Sequence, residues 1–255
     1  MHGRGYQTGG MSFGPAFTPP VIQYLIIANL AVFIAQFVVP LVDVAGALRP
    51  FAFWQRGFFW QPFTYMWLHG GIGHILMNMF MLWMFGSQLA MAWGPKRFFR
   101  YYLICGVGAG FIIATMPYLL WGTGLANAFW LNVGTVGASG AIYGVILAYS
   151  LTWPERTIAL IIPPVTFKAI WLIPILFVMT LMFGGGNVSH VGHLGGVVAG
   201  WIYMRRTSNA PNPLTIENIK YRWRRYRMRQ KLRAVQYEEF ERRRQENERR
   251  NGRMH

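Results

Sequence analysis

Acidic residues are scarce in this sequence and cysteine is nearly absent. Of 255 residues, 8 are Asp or Glu and one is cysteine, Cys105. A single thiol forms no intramolecular disulfide and builds no thiolate metal cluster. Cys105 lies within an apolar run and reads as a packed thiol rather than a nucleophile. Charge of either sign is thin, 13% of residues against 54% hydrophobic. Such a chain has too little polar surface for an ordinary water-soluble globule, and several segments are expected in lipid. Residues 1–20 lack the basic-then-apolar order of a cleavable signal peptide. The first apolar run, about 20 residues, is too long for a signal core and reads as a retained span.

The net charge of +16 suggests a polyanionic partner until its placement is considered. Sixteen of the 24 Lys and Arg fall in residues 205–255, with six of the 8 acids; up to Met204 there are eight bases and two acids, Asp43 and Glu155. The chain is an apolar body with a basic tail. From Tyr221 to Arg253 the tail is Arg-rich, with Trp223, Tyr226 and Met228 interleaved. That pattern fits a short helix resting on anionic lipid, because the chain is already at that surface. Nucleic acid, in the form of ribosome-associated RNA, is the disfavoured alternative.

A bilayer core calls for about 20 apolar residues per helix, because lipid satisfies no backbone polar group. Residues 21–42, 73–91, 98–120, 137–153, 169–183 and 188–204 read as six spans. Residues 43–68 combine Pro50 and Pro62 with Phe51, Phe53, Trp54, Phe58, Phe59, Trp60, Arg49 and Arg56, a mixture suited to the headgroup region, and read as an interfacial loop. Residues 155–168, broken by Pro163-Pro164, read as a loop against the membrane surface. Joining them to the fifth span would carry Lys168 toward the bilayer centre at a cost of a few kcal/mol. Lys96, Arg97, Arg100, Arg156, Lys168 and the tail fall on one side of a six-span arrangement, Arg49 and Arg56 on the other. The positive-inside rule then places both termini in the cytoplasm, and a bacterial plasma membrane is the expected location. The expected fold is an all-α membrane protein. A six-transmembrane-helix bundle over 21–206, with an interfacial first loop, follows a disordered segment at 1–20 and precedes a basic cytoplasmic tail at 207–255.

No Asp or Glu lies within any of these spans, which weakens the case for a pump, channel or ion-coupled carrier. The unusual polar groups are His69, His74, Asn78, Ser139, His190 and His193. Ser139 sits among Gly137, Gly140 and Gly144, and His193, Gly196 and Gly200 share one face of the sixth span. Two narrow glycine faces invite close helix packing, which would bring Ser139 and His193 together. A neutral imidazole is the usual base that makes a serine hydroxyl nucleophilic near pH 7. A serine in such a helix also serves packing alone. His74 and Asn78, four residues apart, share a face of the second span; they are candidate oxyanion donors or simple interhelical hydrogen-bonding groups.

The motifs His69-Gly70-Gly71-x2-His74-x3-Asn78, Gly137-x-Ser139-Gly140-x2-Tyr143-Gly144 and His193-x2-Gly196-x3-Gly200 occur in that order on the second, fourth and sixth spans. Over about residues 21–206 the chain resembles the rhomboid family of intramembrane serine proteases. The resemblance implies an endopeptidase that cuts other membrane proteins in or near their transmembrane segments, with no cofactor and no metal. It implies Ser139 as nucleophile, His193 as general base, His74, Asn78 and the Ser139 amide as oxyanion site, and Tyr143 as the aromatic packed on the catalytic imidazole. His190 is the competing base but lacks the following glycine spacing, and His69 matches a structural position. The first-loop Trp-Arg common in the family is Trp60-Gln61 here. The rival within the family is a catalytically inactive relative that only binds membrane proteins, and such relatives usually lack the serine or the histidine.

Overall fold

A helix in lipid needs only a stripe of its surface for protein contact. α1 (Pro20–Val38) follows that division, burying Ile22, Leu25 and Asn29 while Tyr24, Ile27, Leu30, Ile34 and Phe37 stay exposed. A proline at its start fits the first turn, where the missing N–H has no partner to lose. The computed structural model describes residues 14–159, 165–183 and 189–207, and in the tail 224, 227, 228, 237, 239–242 and 244. By internal contacts the chain forms two compact units, Met1–Arg206 and Thr207–His255, and the described residues of the second are helical.

The stretch expected as an interfacial loop is folded into short helices: α2 (Leu41–Gly46), α3 (Pro50–Arg56), α4 (Gln61–Thr64) and a 3-10 turn at Tyr65–Trp67. Part of it turns inward, with Phe53, Tyr65 and Met66 buried, while Trp54, Phe59 and Trp60 remain exposed. Gln61 explains much of this order. Fully buried, its Oε1 accepts from the Arg49 amide at 3.1 Å and its Nε2 donates to the Ala45 carbonyl at 3.4 Å. Trp60 Nε1 donates to the same carbonyl at 2.9 Å. The Trp60-Gln61 pair therefore staples the loop from within.

α5 (Ile72–Met81), a π-helical turn at Leu82–Gly86 and α6 (Ser87–Trp93) form one continuous rod. α7 (Pro95–Gly122) is the longest helix at 28 residues, followed by α8 (Ser139–Thr152), α9 (Leu172–Phe183) and α10 (His190–Thr207). Among the described residues, Pro20–Val38, Ile72–Trp93 and Pro95–Gly122 are long and apolar enough to cross a membrane; Ser139–Thr152 and Ala169–Met182 are shorter apolar helices. Residues 155–168, expected as a loop, contain a short strand pairing. Thr157–Ala159 (β1) pairs antiparallel with Thr166–Lys168 (β2), Ile158 opposite Phe167. β-branched Thr157, Ile158 and Thr166 and aromatic Phe167 favour extended backbone, and two prolines lie between the strands in sequence. Residues 184–188, which contain the glycine turn between α9 and α10, lie outside the described residues.

α8 is the centre of the bundle, with ten of its 14 residues buried. A helix apolar on all sides belongs inside, and tyrosine hydroxyls from neighbouring elements bond the carbonyls around it. Tyr65 Oη donates to the Gly106 carbonyl at 2.8 Å, and Tyr101 Oη to the Gly144 carbonyl at 2.7 Å. Against α10 the approach is closer than any side chain permits. A Cβ at Gly196 would lie 1.8 Å from the Gly140 carbonyl oxygen.

The seam gives a paired prediction. Gly196→Ala should destabilise the detergent-solubilised protein by about 1–3 kcal/mol or more, the cost of overpacking against rigid backbone. A Cβ at Gly73, inside α5, would meet nothing within 4 Å, so Gly73→Ala should stabilise by up to about 1 kcal/mol through helix propensity. Unfolding midpoints in mixed micelles measure both. Equal effects would contradict the seam.

Candidate active site

The turn that enters α8 is held in place before any of its chemistry is. Leu48 and Thr135 exchange backbone hydrogen bonds at 3.0 and 2.8 Å, and the Gly137 amide donates to the Tyr65 carbonyl at 2.9 Å. Gly137 has φ +128°, which a side chain rarely tolerates, and a Cβ there would lie 2.7–2.8 Å from His74 Cε1 and Nε2. Glycine is thus required twice over, by backbone angle and by the imidazole against it.

His74 reaches this turn from α5. The Gly70 amide donates to His74 Nδ1 at 3.2 Å, so Nδ1 is the acceptor and the neutral ring carries its proton on Nε2. Nε2 is the atom beside Gly137. One helical turn later, Asn78 is buried; its Nδ2 has no hydrogen-bond partner and lies 3.8 Å from the same Cβ position at Gly137. Two side-chain donors therefore converge on the chain just before Ser139. The pairing expected from their i, i+4 spacing is present, and the structure adds the turn they face.

Ser139 is half-buried and opens α8, following Ala138. Gly140 abuts α10, where a Cβ on it would lie 3.2 Å from the Gly192 carbonyl oxygen. The chain neighbours of Ser139 and His193 are thus in contact. His193 is buried, and its ring stacks on Tyr143 with centroids 4.1 Å apart and planes 10° from parallel. Its Nδ1 has no hydrogen-bond partner among the described residues. His190, the competing histidine, lies 6.4 Å from His193, edge to face, and 6.1 Å from Phe177 of α9. His69 packs 5.2 Å from His74, behind the donor pair. Among the described residues no carboxylate hydrogen-bonds His193, and no group of three or more His, Cys, Asp or Glu is placed to hold a metal.

Three contributors escaped sequence reasoning. Ser189 Oγ accepts from the Gly192 amide at 3.1 Å and caps α10 just before its two histidines; a serine ahead of a helical run was the available signal. Thr180 Oγ1 shares a 2.7 Å hydrogen bond with Tyr143 Oη, which also donates to the Leu176 carbonyl at 3.3 Å, so the aromatic under His193 also ties α8 to α9. Gly70, part of a quoted motif, sets the His74 tautomer through its amide, which no pattern of side chains reports.

The geometry agrees with the comparisons to known proteins. The Rhomboid domain family matches residues 56–209. Rhomboid protein 1, mitochondrial, of Saccharomyces cerevisiae is 31% identical over 142 residues, covering 53% of this chain and 38% of that protein. RHOMBOID-like protein 1 of Arabidopsis thaliana is 30% identical over 147 residues, 56% of this chain and 33% of its own. The presenilin-associated rhomboid-like protein, mitochondrial, of Mus musculus is 32% identical over 145 residues, 53% of this chain and 35% of its own. The chain thus spans little more than a third of the length of these curated relatives. Two of the three carry mitochondrial names, so they lend no support to a bacterial plasma membrane. With a domain match over more than half its length and a helical body that carries all three motifs, this chain belongs to the rhomboid family.

Proposed function

We propose that this chain is an intramembrane serine endopeptidase that hydrolyses peptide bonds in or near transmembrane segments of other membrane proteins. The observation that carries the reading is the convergence at the start of α8: His74 Nε2 and Asn78 Nδ2 face Gly137, and His193 lies flat on Tyr143 one turn beyond Ser139. In this mechanism the Ser139 hydroxyl oxygen attacks the scissile carbonyl while its proton passes to His193. The oxyanion formed is held by His74 Nε2–H, Asn78 Nδ2–H and the Ser139 amide, each side-chain donor worth about 3–4 kcal/mol in the transition state. The C–N bond then breaks, and His193 returns the proton to the departing amine. Water, deprotonated by His193, cleaves the ester and regenerates Ser139. No cofactor enters the cycle. The stack on Tyr143 orients His193 in place of an acidic third member.

The body of the enzyme, in this reading, is residues 21–206 with six crossings: α1, the α5–α6 rod, α7, α8, α9 and α10. Segments 1–20 and 207–255 flank it. An even number of crossings puts both termini on the side of Lys96, Arg97, Arg156 and Lys168, the cytoplasmic side, where the basic tail meets anionic headgroups. α8 has 14 residues and spans about 21 Å, short of the roughly 30 Å hydrocarbon core, so Ser139 is recessed below the outer surface and open to water from that side.

Ser139→Ala and His193→Ala should each abolish cleavage of a transmembrane substrate and labelling by a fluorophosphonate while thermal unfolding stays near wild type. A His193→Ala enzyme that stays active while His190→Ala is dead would move the base to His190.

The oxyanion reading gives Asn78→Ala a kcat lower by about one to three orders of magnitude, with KM less affected. Because the donors are redundant, His74→Ala/Asn78→Ala is the stricter variant. Full turnover in that double mutant would remove both residues from the mechanism.

A substrate helix also needs an opening, and α9 is the proposed moving element. The Tyr143–Thr180 hydrogen bond is the latch that holds it closed. Thr180→Val should speed cleavage of a transmembrane substrate several-fold relative to fluorophosphonate labelling, since the small reagent needs no helix to move. Tethering α9 to α5 by an engineered disulfide should do the reverse. Unchanged transmembrane-substrate turnover with a verified tether would eliminate α9 as the gate.

A further inference from the structure

A cavity of about 260 Å³ lies beside the site and is used by none of the steps above. Its walls include Phe33, Gln36 and Phe37 from the end of α1, Asp43 from α2, and His69 and Gly70 from the approach to α5. Val136 also lines it. Two of these residues connect it to the chemistry. The Gly70 amide bonds His74, and Val136 immediately precedes Gly137, against which His74 rests.

Of the residues that line it, Asp43 is the charged one. The Asp43 carboxylate accepts one hydrogen bond from Gln36 Nε2, at 2.6 Å, and forms no ion pair among the described residues. Gln36 is otherwise engaged: its Nε2 donates to the His69 carbonyl at 3.1 Å and its Oε1 accepts from the His69 amide at 2.9 Å. His69 is 2% exposed, and neither ring nitrogen makes a hydrogen bond. Burial, and after it the nearby His74 ring, hold its pKa down to about 4, so at neutral pH the ring is uncharged and adds no positive charge to this wall. Phe33 and Phe37 meet edge to face at 5.0 Å, and Phe33 lies 6.4 Å from His69; aromatic faces attract cations. No Lys or Arg lines the cavity. Arg49, in the same loop, is instead bonded to the Val44 carbonyl. Among the described residues this carboxylate has no cation paired with it, in a chain of net charge +16.

We propose that the cavity receives the side chain of a lysine or arginine from the substrate, in the stretch flanking the bond to be cut. The identity of the occupant rests on the protease reading; the preference for a cation rests on the cavity alone. A substrate lying across Ser139 and His74 passes this opening, whose floor and wall are formed by the residues that position His74. The space suits one long side chain, with its ammonium or guanidinium against Asp43 and its stem along Phe33 and Phe37.

The test uses full-length Ser139→Ala protein in detergent and a fluorescent transmembrane peptide. One lysine is walked through its outer juxtamembrane stretch, with norleucine and glutamate versions at each position. At one position lysine should bind about tenfold or more tighter than norleucine, as expected for a charge-assisted contact. Asp43→Asn should erase that ratio, and Asp43→Lys should turn the preference toward glutamate. Equal binding of lysine and norleucine at every position overturns the proposal, as does a ratio that Asp43→Asn leaves intact. If Asp43→Asn fails to fold, the wild-type ratio alone decides. Binding to phosphatidylethanolamine vesicles that is lost in Asp43→Asn, with no lysine preference in the peptides, assigns the cavity to lipid and also overturns it. The same peptides are given to the unmutated chain. A lysine preference in binding without any cleavage would sink the protease reading and leave the cation site standing.

Discussion

The contact between α8 and α10 through Gly140 and Gly196 is the constraint on which the rest of the site depends. The carbonyl oxygen of one helix occupies the place where the other would carry a side chain. In lipid there is no hydrophobic gain from bringing helices together, so close packing of small residues must supply the association. The same contact fixes the height of α10 against α8, and with it the position of the His193 ring over Tyr143. A seam of ordinary side chains would separate the axes and lift the imidazole away from the start of α8.

A second set of contacts aligns the remaining groups from the other side. Gly137 is held by the Tyr65 carbonyl, Tyr65 by the Gly106 carbonyl, and the strand ahead of Gly137 by Leu48. These bonds join the first loop, α7 and the entry to α8. The loop itself is closed by Gln61. His74 and Asn78 thus face a turn that is already organised, as preorganised donors require in the proposed mechanism. The Tyr143 hydroxyl carries the network on to α9 through Thr180, so the element under the histidine is also the element that ties down a neighbouring helix.

Rhomboid membership and the geometry bear on different questions. The family match covers residues 56–209 and identifies the kind of domain. It does not reach α1 or α2, which supply four of the cavity's walls: Phe33, Gln36, Phe37 and Asp43. The other lining residues, His69, Gly70, Gly71 and Val136, fall inside the match.

Much of the site was legible in the sequence because its residues obey helical spacing. His74 with Asn78, Ser139 with Tyr143, and His193 with Gly196 each share a face by arithmetic alone, and glycine rows announce close helices whatever their partner. The apolar runs fixed where helices lie, since lipid leaves the backbone no other way to satisfy its polar groups. Periodicity says nothing of contacts between elements distant in the chain. It could not find the Gly70 amide on His74, the Thr180 hydroxyl on Tyr143, the Gln61 staple or the cavity at Asp43, all of which depend on which loop returns to which helix. It also gave no sign of the β1–β2 pairing within residues 155–168, because three-residue strands are too brief to leave a pattern. The sequence determined which side chains share a helix face; tertiary packing decided which faces meet, because that depends on carbonyls and amides that every residue carries alike.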